Sequence, residues 1–211
     1  GVSEGARQTI RDACISERPV PDYIHDAMMA NFRTYTVVGG MPEVVQRFLD
    51  TQGDLASVRQ LQSELNEQYR RDISKYASGR ALQVQSIYDQ LPIMLEGENK
   101  RFVLNSIDPK AHYEKYQRDF VWLVDAGVAL KADIVTEPKS PLLKTARPSQ
   151  FRLYQSDVGM LMARYPVGVA QAAYLDSKEP NLGGIYENVV AQQLAAQNRQ
   201  LYYYLTKKRG E

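Results

Sequence analysis

Tyr113–Gly127 reads YEKYQRDFVWLVDAG, Val128–Val135 reads VALKADIV, and Phe151–Gln155 reads FRLYQ after a Pro- and Lys-rich loop. In the first segment Tyr113, Tyr116, Phe120, Leu123 and Val124 recur at helical spacing, so one face of a helix is apolar. Gly127 supplies a C-terminal stop, because glycine takes the left-handed conformation that ends helices without steric cost. The next eight residues alternate only roughly, but their β-branched content predicts a strand. The stretch therefore reads helix, strand, loop, strand.

Working outward, a chain of 211 residues holds one large domain or two small ones and can bury a real core. Hydrophobic residues at 44%, charged residues at 24% and a mean hydropathy of −0.44 are ordinary values for a globular chain, so disorder is not the leading reading. The net charge is +1, from 26 Lys and Arg against 25 Asp and Glu, so any nucleic-acid surface has to be a local patch. Cys14 is the only cysteine, which rules out an intrachain disulfide and suits a reducing, cytoplasmic setting. No apolar run approaches the roughly 20 residues that cross a bilayer, and GVSEGARQTIRDA lacks a signal-peptide layout. The opening without an initiator Met suggests a piece of something longer.

Upstream of the central stretch the sequence predicts helices. A weak one spans Val2 to Ala13, and another starts at Pro21 or Asp22 and runs through Phe32. Val37 to Pro42 reads as a turn, with Gly39 and Gly40 free to take positive φ and Pro42 opening a helix to Asp50. Leu55 to Ala77 carries an apolar stripe through Leu61, Tyr69, Ile73 and Tyr76; that stripe and Met28-Met29 are expected in the core. Ser78-Gly79 is a candidate boundary. Ala81 to Leu91 is the next helix, interrupted at Pro92 and resumed briefly before Gly97; Arg101 to Leu104 is a short strand candidate. Asp108-Pro109 is expected to cap the Tyr113 helix. Two helices, a short strand, a third helix and a two-stranded wing is the winged helix-turn-helix order. Downstream, Asp157 starts a short helix, Pro166 to Leu175 is helical, Ile185 to Gln197 is amphipathic, and Leu201 to Leu205 is a strand before the basic turn Lys207 to Gly210. The fold class is therefore mainly α, of α+β type.

The chemistry that these residues encode is sparse. Neither a G-x-x-x-x-G-K-[ST] loop nor a G-x-G-x-x-G turn occurs, so no cofactor site of those kinds is written here. His25 and His112 are the only histidines and lie in different segments, which argues against zinc and against a Ser-His-Asp device. The candidate duplex-contacting residues are Lys115 and Arg118 on the third helix and Lys139, Lys144 and Arg147 on the wing. Helix residues in the major groove and basic wing residues on phosphates are the way such an element reads DNA. Glu114, Asp119 and Asp125 nearly cancel the helix charges. Glu187, one turn into the Ile185 helix, taken alone reads as a surface carboxylate favoured by the helix dipole.

Several motifs in order change that context. They are Gly39 to Glu43 (GGMPE), Tyr69 to Ile73 (YRRDI), the Tyr116 to Gly127 helix, Phe151 to Tyr154 with Asp157 to Leu161 (DVGML), Gly183 to Val190 (GGIYENVV), and Tyr202 to Tyr204 before Lys208 to Glu211. Together they resemble the C-terminal half of a prokaryotic AAA-type P-loop ATPase group. In that group the ATPase module precedes a domain of unknown function similar to a winged helix plus a restriction-endonuclease-like fold. The resemblance implies a helical region over 1–78, a winged helix over 79–156, and the truncated start of a nuclease-like domain over 157–211. It matches Glu187 to the first-helix Glu of an incomplete catalytic set whose remaining members fall beyond Glu211. Phosphodiester cleavage needs several carboxylates around Mg²⁺ and a nearby Lys, so the resemblance implies no metal, cofactor or cleavage within this chain. ATP and Mg²⁺ are implied only for the intact protein, with an oligomer formed through its ATPase and duplex DNA or a protein as partner. A winged-helix DNA-binding regulator and an oligomerisation scaffold built on the Leu55 helix are the alternatives.

Overall fold

Helix signals in the sequence place most of the elements. The computed structural model describes residues 2–77, 79–97, 100–110, 112–177 and 181–205. The helices are α1 (Glu4–Ile15), α2 (Asp22–Val38), α3 (Pro42–Asp50), α4 (Leu55–Tyr76), α5 (Ala81–Glu96), α6 (Tyr113–Asp125), α7 (Val158–Met162), α8 (Val167–Tyr174) and α9 (Gly183–Ala195). The strands are β1 (Ala129–Val135), β2 (Ala146–Gln155) and β3 (Leu201–Tyr203), so the chain is mainly α with a small mixed sheet. Gly127 takes φ +69 after α6, as its position at a helix stop requires. Asp54 caps α4 by accepting from the Ala56 N–H, and Pro42 occupies the first turn of α3.

The sheet order is β2-β1-β3. β1 and β2 form an antiparallel hairpin from Ala129 opposite Gln155 to Val135 opposite Ala146, with a register shift after Asp133. β3 returns parallel to β1, Ala132 opposite Leu201. Helix α6 followed by a hairpin is thus present, but the far edge of that hairpin is occupied by β3. Both sheet faces are covered. Ala129, Phe151 and Leu153 join α5 and α6 in one cluster, where Phe151 meets Phe120 edge-on with ring centroids 4.7 Å apart. Ala132, Tyr154 and Leu201 join α7, α8 and α9 in another. Val38, Val44, Val58 and Leu61 tie α2, α3 and α4 together. The first cluster holds Ile73 and Val84, and the second holds Tyr154 and Val158, so packing is continuous across 78/79 and 156/157.

Several expectations are corrected. Arg101 to Leu104 makes no strand: Phe102 gives one backbone hydrogen bond to Phe151, and a 3-10 turn starts at Leu104. Asp108 does not cap α6, whose N-cap is His112; it accepts instead from the Lys110 N–H, the Lys115 ammonium and the Tyr116 hydroxyl. Val37 and Val38 belong to α2 rather than to the turn. Met28 and Met29 stand 38% and 36% exposed, because between Asp22 and Asn31 only Ile24 is buried. Tyr76, the last residue of the α4 stripe, is exposed, as is Leu194 on α9. Ser78, Lys207 to Gly210 and Glu211 lie outside the described residues.

Pro92 does not interrupt α5, and the reason is a side chain distant in sequence. Proline has no N–H, which orphans the carbonyl four residues earlier. That carbonyl, Tyr88 O, accepts from Arg164 Nη2 at 2.6 Å, while Arg164 Nη1 donates to Gln155 Oε1 at 3.1 Å. The guanidinium lies 4.1 Å from the Tyr88 ring centroid, and burial pushes its pKa down. Replacing Arg164 by Met should cost about 2–4 kcal/mol, since a buried acceptor loses its donor. In a Pro92→Ala background the new N–H reaches Tyr88 O, so the loss should shrink by about 1 kcal/mol. Urea denaturation of the double-mutant cycle measures this; strictly additive losses would contradict the account.

Candidate functional site

The residues around Glu187 are positioned by α9, and α9 by a glycine contact and a pair of side-chain amides. A Cβ on Gly184 would lie 2.7 Å from the Leu95 carbonyl oxygen, so only glycine lets α9 approach the end of α5 this closely. One turn later Asn188, fully buried, reads the backbone of Gln155 twice: its Oδ1 accepts from the N–H at 2.8 Å and its Nδ2 donates to the carbonyl at 3.0 Å. Gln192, four residues on, accepts from the Val158 N–H at 2.9 Å and donates to Asp157 Oδ2 at 3.2 Å. Spacing of one helical turn puts both amides on the face that meets the end of β2.

Glu187 is adjacent to Asn188 and lands between β2 and the segment at residue 100. Its Oε2 lies 2.8 Å from Lys100 Nζ, and its Oε1 accepts from Arg152 Nη1 and, at 3.1 Å, from the Tyr154 hydroxyl. Burial and then the Glu187 charge push the Tyr154 phenol far above its usual range. Arg152 also stacks over the Tyr203 ring at 4.5 Å, which ties β3 to the cluster. Two cations and a phenol occupy the acceptor sites of the carboxylate. In this geometry Glu187 clasps α9 to β2, and a proton-transfer or metal-ligating role would first have to displace those partners. Among the described residues no group of three or more His, Cys, Asp or Glu side chains is arranged to hold a metal ion.

The basic residues fall on two elements. Lys115 and Arg118 are exposed on α6, and Lys139, Lys144 and Arg147 are exposed on the hairpin and its loop. Lys115 pairs with Asp108 at 3.2 Å and Lys139 with Glu137 at 3.1 Å; Arg118, Lys144 and Arg147 make no ion pair among the described residues. Asp119 is not a surface charge. It is 2% exposed and takes a two-pronged contact from Arg80, 2.6 Å from Nε and 2.5 Å from Nη2. That pair raises the Arg80 pKa, chiefly through the hydrogen bond to Asp119.

Sequence reasoning missed Asn188 as a buried amide and Gln192 as a half-buried one, and missed the cations that hold Glu187. The signal present was polar residues inside an apolar helical rhythm, Ile185-x-x-Asn188-Val189-x-x-Gln192. The contacts across 33 to 35 residues that give them a purpose are not written locally.

The model of a domain of unknown function, DUF8612, matches residues 29–170, about two thirds of the chain, and the chain belongs to that family. No curated protein and no solved structure gives a significant match. Among the described residues no helix is long and apolar enough to cross a membrane.

Glu187→Ala leaves Arg152 and Lys100, themselves 14% and 21% exposed, without their counter-charge. It should lower unfolding stability by about 1–3 kcal/mol, with Glu187→Gln losing less because the amide still accepts a hydrogen bond. Thermal unfolding monitored by circular dichroism checks this; an unchanged midpoint for Glu187→Ala would count against the clasp.

Proposed function

We propose that this DUF8612 chain is a DNA-handling region of a prokaryotic AAA-type ATPase, with α6 and the β1–β2 hairpin as the surface that meets the duplex. The order of motifs from GGMPE to GGIYENVV supports the family part of this reading. The observation that carries the DNA part is the withdrawal of Asp119 into its contact with Arg80, while Arg118 on α6 and Lys144 and Arg147 on the hairpin are exposed and make no ion pair among the described residues. An acidic residue that the sequence sets against the helix cations is thereby removed from the surface, and α6 presents more positive potential than its composition suggests. Cations without intramolecular partners release condensed counterions from DNA at no internal loss. ATP and Mg²⁺ would act in the intact protein, on residues other than these.

A nuclease-like ancestry of the region from Asp157 onward fits the motif order. The engaged state of Glu187 favours a structural use of that element over cleavage. The apolar stripe of α4 is largely consumed internally, with Val58, Leu61 and Ile73 buried, which weighs against an oligomerisation scaffold built on it.

Fluorescence anisotropy with a labelled duplex at low salt tests the reading. Binding should weaken with salt, and Lys144→Ala combined with Arg147→Ala should weaken it about tenfold and lower the slope of log affinity against log salt by about 2. Flat anisotropy, or a slope unchanged by the double substitution, would contradict it.

A further inference from the structure

A groove at the C-terminal end of α6, the end away from Lys115 and Arg118, carries its own chemistry. Between the C-terminal turns of α4 and α6 lies a groove of about 470 Å³ lined by Tyr69, Asp72, Tyr76, Trp122, Asp125 and Val128. Tyr69, Asp72 and Tyr76 share one face of α4, and Trp122 and Asp125 share one face of α6, so each wall offers aromatic surface and a carboxylate. Asp72 and Asp125 form no ion pair or hydrogen bond among the described residues. Both helices end here, at Tyr76 and Asp125, and the negative ends of their dipoles add to the carboxylates. No basic residue sits in the last turn of α6. α4 has Lys75, whose ammonium lies 4.8 Å from the Tyr76 ring centroid and which pairs with neither carboxylate.

We propose that this groove docks an arginine side chain presented by a basic segment of a protein partner. Charge complementarity sets the sign: two carboxylates line the groove, and two helices end beside it at Tyr76 and Asp125. The walls set the shape. A guanidinium is planar, weakly hydrated and able to stack on Trp and Tyr faces while donating in its plane to a carboxylate. An ammonium is held more tightly by water and gains less from flat aromatic walls. Two carboxylates without a third ligand do not suit a metal ion. Tyr76, 58% exposed at the end of an otherwise packed stripe, is the ring most open to an incoming group.

Trp122 is the only tryptophan in the chain, so its emission reports on the groove directly. The full chain is titrated with a short capped peptide bearing one arginine and with its citrulline counterpart, which has the same shape and no charge. The arginine peptide should give a saturable change in Trp122 emission, and the citrulline peptide should bind at least about tenfold more weakly. Asp72→Asn combined with Asp125→Asn should weaken the arginine peptide about tenfold while far-UV circular dichroism stays unchanged. No saturable change at millimolar peptide, equal binding of citrulline, or indifference to the two Asn substitutions would each overturn the proposal.

Discussion

Two backbone segments cross at van der Waals contact, and the crossing is possible only because glycines and a buried carboxylate meet there. A Cβ on Gly159 would lie 2.3 Å from the Val38 carbonyl oxygen, and one on Gly39 would lie 2.2 Å from Asp157 Oδ1. Gly39 also takes φ +78, which a side chain would resist. Asp157, 4% exposed, accepts from the Gly40 N–H at 2.7 Å, the Met160 N–H at 3.0 Å and Gln192 at 3.2 Å. No cation is among these donors, so three N–H groups offset the desolvation of the carboxylate. One side chain thus caps α7, pins the α2–α3 turn and anchors α9.

Around this crossing the buried polar groups form a continuous chain. Gln62 on α4 donates to the last carbonyls of α2, Val37 O and Val38 O, which a helix end leaves without partners. Asn66, one turn later, donates to Gln62 O and Met160 O and accepts from the Tyr88 hydroxyl. Gln155 links Tyr88 to Arg164, and Asn188 holds the Gln155 backbone. These contacts run through α2, α4, α5, β2, α7 and α9. They give the motifs GGMPE, DVGML and GGIYENVV a shared physical purpose, since each supplies a glycine or polar group to the same junction.

Local signals in the sequence reached the elements but not this junction. Helical spacing found α4 and α6, Gly127 ended α6, and the β-branched run at 128–135 became β1. Pro92 misled because a proline breaks a helix only when nothing replaces its missing donor, and Arg164 replaces it from 72 residues away. Asp119 looked like a surface charge because nothing nearby marks Arg80 as its partner across 39 residues. Lys144 and Arg147 were readable as exposed, and their lack of an ion pair among the described residues was not. For Glu187 the sequence supplied the position one turn into α9, while Lys100, Arg152 and Tyr154 emerge only from the folding of β2 against α9.

The comparison of two helical glycines tests the central claim most directly. Gly159 in α7 and Gly168 in α8 would both gain helix propensity from alanine, roughly 0.5–1 kcal/mol. A Cβ on Gly168 meets nothing within 4 Å, whereas one on Gly159 meets the Val38 and Gly39 backbone below 3 Å. In urea denaturation Gly168→Ala should hold or raise the midpoint, and Gly159→Ala should lose about 3 kcal/mol or more as the crossing opens. A Gly159→Ala protein as stable as Gly168→Ala would mean that the fold does not depend on this contact.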